Sequence, residues 1–388
     1  MFVDLTPEQH ALRLKVRDYF QTLMTPELRS ELRGKEGGEL YRNTIRKMGA
    51  DGWLAVGWPK EHGGQGYAAT EQLIFFEEAN IAGAPLPFVT ISTVGPALME
   101  SGTELQKKTF LPGIAAGEIM FAIGYSEPEA GSDLATLKTS ARLEGDHLVV
   151  NGNKLWTSGA EAADYVWLAA RTDPNLPRHK GVSILILDTK AEGFSHTVIP
   201  TCSNPTAATY YDNVKVPKEM LVGELNGGWK LITAQLNHER LGLGSWSDKV
   251  VALFRRVLLW AKAKDENGRR AVDAAWVRSL LAECYARIEA MRLINFRIAA
   301  DLEHGRMDVA LASATKVYGS ESVVDILRKL SEIVGASGLV REGSAAAALL
   351  GELEYEVRAS VTLTFGGGTN EIQRELVAQF GLGMPRSR

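Results

Sequence analysis

Cysteine is scarce: Cys202 and Cys284 are the only two in 388 residues, and they form no Cys-x-x-Cys pair. That excludes a disulfide scaffold and fits a reducing compartment. The seven histidines show no ligand spacing, neither His-Glu-x-x-His nor a histidine beside paired cysteines, so no metal centre is expected. No apolar run is long enough to span a bilayer, and the N-terminus opens on Asp4, Thr6-Pro7 and Glu8 rather than a basic n-region. The expected location is therefore cytoplasmic, with no membrane partner. A formal net charge of −4 and the lack of any Lys/Arg block argue against a nucleic-acid partner. What is present is an ordinary globular composition, in a chain long enough for two or three units sharing a substantial core.

Thr6 has the chemistry of an N-cap, with Pro7 at the first helical position and Leu12, Val16, Tyr19 and Phe20 following at helical spacing. Further helical stretches are expected near 41–51, 70–82 and 104–116, between turns such as Gly63-Gly64-Gln65-Gly66 and Pro85-Leu86-Pro87. Residues 1–120 read as an α-helical domain. At Phe121 the texture changes to short β-type runs, 121–125, 147–151, 165–170, 182–187 and 209–214, separated by turn signals. No helices intervene, so 121–225 reads as an antiparallel sheet or small barrel rather than a parallel βαβ unit. From Gly227-Gly228-Trp229 helical periodicity returns, and 226–388 reads as a second α-helical domain.

Three segments carry chemistry. Tyr125-Ser126-Glu127-Pro128-Glu129-Ala130-Gly131-Ser132-Asp133 follows the first strand, and its backbone N–H groups and the hydroxyls of Ser126 and Ser132 can face one ligand. A plain polar turn is an equal reading of that stretch. In Asn153-Lys154-Leu155-Trp156-Thr157-Ser158-Gly159 a tryptophan stands beside two hydroxyls, suited either to stacking on an aromatic cofactor or to the sheet's core. In Thr364-Phe365-Gly366-Gly367-Gly368-Thr369-Asn370-Glu371 three glycines permit close approach of another molecule. Thr369 and Asn370 can cap a helix starting near Glu371, and a helix N-terminus behind a glycine loop attracts phosphate or developing negative charge.

Together these segments resemble the acyl-CoA dehydrogenase family. The resemblance takes in Asp51-Gly52-Trp53, Trp58-Pro59-Lys60-Glu61-His62-Gly63-Gly64-Gln65-Gly66 and Gly227-Gly228-Trp229, and spans essentially the whole chain. It implies an α+β fold with an N-terminal α-helical domain, a middle antiparallel β domain and a C-terminal four-helix bundle. It also implies FAD as cofactor and an acyl-CoA substrate desaturated between its α and β carbons. Electrons would pass to an electron-transfer flavoprotein or similar acceptor. By position Ile123, Tyr125 and Ser126 should face the isoalloxazine ring, with Ser132 near the phosphates. Trp156 matches the ring-stacking tryptophan, Ser158 the hydroxyl donor to flavin N5, and Thr369 and Glu371 the C-terminal cofactor contacts.

The chain also departs from the family pattern. Many members read Tyr-Glu-Gly-Thr in the C-terminal loop, where the glutamate is the catalytic base; that position is Gly367 here. A second subset carries its base on the first C-terminal helix, one residue before an arginine, which points to Glu239 with Arg240 supporting it. Gly367 keeps a backbone N–H for the thioester oxygen. The family's Arg-x-x-Phe-Gly segment, which reaches a neighbouring subunit's FAD, is absent around Lys262–Arg270, and its Gln-x-x-Gly-Gly-x-Gly becomes Glu332-Ile333-Val334-Gly335-Ala336-Ser337-Gly338. Both changes resemble actinobacterial α2β2 enzymes in which a second, divergent acyl-CoA dehydrogenase subunit completes each flavin site, several acting on steroid side-chain thioesters. The rival readings are an oxidase or monooxygenase on the same fold, and a non-catalytic scaffolding subunit.

Overall fold

The computed structural model describes residues 4–235, 248–306 and 308–386. The chain packs into two compact units that do not follow sequence order. One comprises Met1–Arg29, Ala68–Ala84 and Arg240–Arg388, the other Ser30–Tyr67 and Pro85–Glu239.

The second unit is built on an eight-stranded sheet. Its strands are β1 (Phe121–Gly124), β2 (Ser140–Glu144), β3 (His147–Lys154), β4 (Tyr165–Arg171), β5 (Val182–Asp188), β6 (Phe194–Ile199), β7 (Thr206–Pro217) and β8 (Leu221–Val222). The order is β6-β7-β3-β2-β4-β5-β8, with β1 paired to β4 off this path. Most neighbours are antiparallel, as the uninterrupted strand run predicts. The exception is β1, which runs parallel to β4 from Phe121↔Tyr165 to Gly124↔Leu168; β2 also meets β4 in parallel at Ser140↔Arg171. A parallel pair needs a long connection, and the intervening β2–β3 hairpin supplies it without an α-helix. The strands β4 and β5 are neighbours and are buried on both faces, which is why they read as continuous apolar runs.

Helices Gly38–Ala50, Gly95–Ser101 and Glu104–Ala115 belong to this unit. Arg42 holds Asp164 at 3.1 Å at the start of β4, and the buried Gln106 amide donates to the carbonyls of Glu219 (2.7 Å) and Leu221 (2.8 Å) beside β8. The glycine-rich segment after Trp58 is explained by packing. Trp58 is buried and donates to the Ile91 carbonyl at 3.0 Å. A Cβ on Gly64 would lie 2.0 Å from the Trp58 carbonyl oxygen, and one on Gly95 2.0 Å from its ring.

The first unit is helical, comprising Pro7–Leu23, Ala69–Ala82, Asp248–Lys262, Ala275–Glu303, Val309–Val334, Glu352–Ser360 and Asn370–Leu376. Thr6 forms a full capping box with Gln9, and Pro7 occupies the first turn as expected. Val257, Cys284, Ile288, Ile326, Leu330 and Leu353 form part of one buried core. The first helix joins this unit through Arg13 to buried Glu77 and Arg17 to buried Glu78 at 2.7 Å. Among the described residues no helix is long and apolar enough to cross a membrane.

Candidate active site

In the sheet unit the chain leaves β1 at Gly124 and turns through Tyr125 and Ser126 into a loop closed by Glu127 and Ala130, whose N–H and C=O groups pair reciprocally at 2.9 and 3.1 Å. The Glu127 side chain folds beneath this loop. Its carboxylate accepts from the backbone N–H of Lys138 (2.6 Å) and Thr139 (2.8 Å) and from Lys154 Nζ (2.9 Å). The same ammonium donates to the Tyr125 carbonyl at 2.9 Å. Both side chains are buried. Burial pushes Lys154 down to about 8, against the opposing pull of Glu127. Burial acts to raise the Glu127 carboxyl, but the Lys154 charge and the Lys138 N–H outweigh it and hold it below its ordinary value. The pair ties the loop from β1 to the end of β3, so two of the segments singled out in the sequence become one structure. Neither residue carried a role in the sequence reading, because nothing local announces a partner 27 positions away.

Beyond Lys154, Leu155 N–H donates to the Ser126 carbonyl at 2.9 Å, which lays the tryptophan segment along the loop. Trp156 then sits at φ +65 and is 58% exposed. A bulky residue rarely adopts the left-handed region, which costs about 1–2 kcal/mol, and solvent exposure recovers none of it. Its neighbours explain the local register. Thr157 points inward, its N–H on the Ala207 carbonyl (2.9 Å) and its hydroxyl 3.2 Å from that of Thr209. Ser158 is exposed, with its hydroxyl 2.9 Å from Thr206 Oγ1. Ser126 and Ile123 are half-buried, and Ser132 is exposed on the outer part of the loop. Tyr125 is half-buried; its hydroxyl donates to the Gln235 side chain and accepts from Trp167 Nε1 at 3.1 Å. The structure thus brings Tyr125, Ser126, Trp156 and Ser158 onto adjoining segments of one unit.

In the helical unit Gly367 and Gly368 take φ +66 and +99, conformations that favour glycine. A Cβ on Gly368 would also lie 2.6 Å from Gln373 Nε2. Thr369 caps the following helix by accepting from Ile372 N–H at 3.3 Å. Asn370 is no cap. It is the first helical residue, buried, with its Oδ1 accepting from Lys316 Nζ (2.8 Å) and its Nδ2 donating to Glu321 (3.1 Å). Burial pushes Lys316 down to about 8, with Glu371 and Glu321 acting in the other direction. Glu371 itself is exposed. Glu239 and Arg240 lie outside the described residues.

The segment in place of Arg-x-x-Phe-Gly closes on itself: Arg269 pairs with Asp265 at 3.2 Å and Arg270 with Asp273 at 2.7 Å. Glu332 and Gly335 line an open concavity of about 360 Å³ with Arg328, Ser331, Leu339 and Val357.

Three family models match in order: the N-terminal domain of acyl-CoA dehydrogenases over residues 6–118, the middle domain over 122–214 and the C-terminal domain over 226–382. The acyl-CoA dehydrogenase FadE26 of Mycobacterium tuberculosis is 50% identical over 400 residues, covering 100% of both chains. Among solved structures, the Tcur3481-Tcur3483 steroid ACAD matches with a TM-score of 0.95 at 49% identity, covering 100% of both chains. The ChsE4-ChsE5 complex from Mycobacterium tuberculosis matches with a TM-score of 0.94 at 50% identity, again over 100% of both chains.

Proposed function

The chain belongs to the acyl-CoA dehydrogenase family, and from that premise we propose that it desaturates an acyl-CoA thioester between its α and β carbons. FAD is the proposed cofactor and Glu239 the proposed base. The observation that carries this reading is Trp156, a large aromatic side chain held exposed in a strained backbone conformation beside the Ser126 loop. Strain of that kind persists where the surroundings over-determine it, and such positions cluster at ligand sites. The residues present suit a flavin: an open indole face at Trp156, an exposed hydroxyl at Ser158, and the half-buried side chains of Ile123, Tyr125 and Ser126. Ser132, Thr369 and Glu371 are the further contacts proposed. When bound, FAD supplies the acceptor for a hydride from the β carbon.

The chain's own part is proton chemistry and placement. The α proton of a thioester is only weakly acidic, so its removal needs a positioned carboxylate, and Gly367 cannot supply one. We assign that task to Glu239, with Arg240 helping to hold the site in place. Enclosure beside an acyl chain would raise the carboxyl's pKa by desolvation and make it a better base. The Gly367 N–H is proposed as a donor to the thioester oxygen, a role that needs no side chain.

For substrate we propose a steroid side-chain thioester, supported by the steroid ACAD among the similar structures. For assembly we propose an α2β2 complex with a second, divergent subunit, and an electron-transfer flavoprotein or similar protein as acceptor. Both heteromeric relatives support the assembly, as do Arg269 and Arg270, each engaged within its own loop. The test is anaerobic titration of the purified protein, with and without its partner, against a panel of acyl-CoAs. Bleaching of the flavin by steroid side-chain thioesters is expected; no bleaching by any thioester would refute the dehydrogenation.

A further inference from the structure

Gln235 closes the described part of the helical stretch 228–235 in the sheet unit, and its side chain is buried. Its Oε1 accepts from the Tyr125 hydroxyl and from Trp167 Nε1 at 3.3 Å. An indole N–H is a donor only, so it selects the oxygen end of the amide and fixes which way the group faces. Nε2 therefore turns away from both rings. It is buried and has no hydrogen-bond partner among the described residues. Leaving such a donor unpaired is costly, whereas Tyr125 and Trp167 already bond to each other at 3.1 Å without it. A purely structural residue here could be apolar. This donor, unpartnered among the described residues, belongs to a side chain bonded to Tyr125, which adjoins Ser126 on the candidate flavin loop. In sequence it precedes the proposed base, Glu239, by four positions.

We infer that Gln235 is a binding residue of this site, its amide Nε2 donating to a carbonyl oxygen of the bound reactants. The acceptor class is a neutral carbonyl, which the acyl group and the flavin ring both carry. The inference rests on the proposed dehydrogenation and adds a residue to it.

Two variants of the assembled holoenzyme test it. Gln235→Glu keeps an oxygen for Tyr125 and Trp167 but removes the N–H donors; Gln235→Met removes both polar ends at similar length. The readouts are FAD content, the visible spectrum without ligand, and the Kd of a 2-enoyl-CoA measured by spectral titration, alongside anaerobic reduction by acyl-CoA. With an acyl acceptor, both variants keep FAD and the wild-type spectrum, while the enoyl-CoA Kd rises about ten- to hundredfold. With a flavin acceptor, the ligand-free spectrum shifts and FAD dissociates more readily. Wild-type spectrum, FAD retention and enoyl-CoA Kd in both variants would overturn the inference. Should either variant fail to fold, Gln235→Asn draws the amide back by one methylene without burying a charge. It should change the same readouts to a smaller degree, and wild-type values there would also overturn the inference. If the wild-type holoenzyme is reduced by no acyl-CoA, the dehydrogenation reading fails separately, and FAD retention and spectrum still judge Gln235.

Discussion

Replacing Lys154 by methionine should uncouple the Ser126 loop from the tryptophan segment. The substitution leaves the Glu127 carboxylate buried with two backbone N–H donors and strips the Tyr125 carbonyl of its ammonium. Removing one member of a buried pair costs about 3–5 kcal/mol, and the two remaining N–H bonds put the expected loss near the lower end. Glu127→Gln added to Lys154→Met removes the stranded charge and should recover roughly half of that loss. Urea unfolding of the assembled holoenzyme, followed by far-UV circular dichroism, gives the double-mutant cycle. A coupling of at least about 1.5 kcal/mol is expected for groups in contact. Amide hydrogen exchange adds a local readout: Lys138 and Thr139 should exchange faster in either single variant. The pH dependence has a definite sign. Folded Lys154 loses its proton near pH 8, whereas the unfolded lysine holds it to its ordinary value of 10.5. The unfolded chain binds more protons in that window, so this group's contribution to stability rises with pH from about 8 to 10.5, and Lys154→Met should lack that slope. Singles that add within about 0.5 kcal/mol, with unchanged exchange at Lys138 and Thr139, would refute the coupling.

Further tests address the proposed chemistry and assembly. Glu239→Gln should retain FAD yet slow flavin reduction by acyl-CoA by about 10²–10⁴, and near wild-type reduction would move the base elsewhere. Trp156→Gly should leave the apoprotein as stable or more stable, by about 1 kcal/mol from relief of positive φ, while FAD affinity falls at least about tenfold through lost stacking; equal losses of both in equilibrium titration would make Trp156 structural. Gly367→Glu should not add a second working base, since the position holds φ +66, and a fully active Glu239→Gly, Gly367→Glu double variant would contradict this. Co-expression with the divergent partner should yield a 1:1 complex with about two flavins per tetramer, and a fully active homotetramer with four would redirect attention to Arg269 and Arg270.

The order of helices, strands and helices was legible because periodicity is local: residues at helical or alternating spacing declare their own conformation wherever they pack. The Thr6 cap and Pro7 start were legible for the same reason, as each bond spans only three positions. The Trp156 and Gly367 segments could be singled out by residue type, since an aromatic beside hydroxyls and a run of glycines are visible without a fold. Pairing across distance was not. That β1 lies parallel to β4 depends on where the β2–β3 hairpin leaves the chain, which no strand's alternation encodes. Lys154 looks like one more surface lysine at a strand end until Glu127 is found beneath it. Asn370 looks like a cap until the Val309–Val334 helix brings Lys316 to its oxygen. The positive φ of Trp156 is decided by the loop that Leu155 meets, not by the tryptophan, whose own preference runs the other way. Local chemistry is thus written in the chain, while the partners of buried polar groups exist only once distant segments are packed, because an unpaired charge or amide is costly only after water has been removed from it.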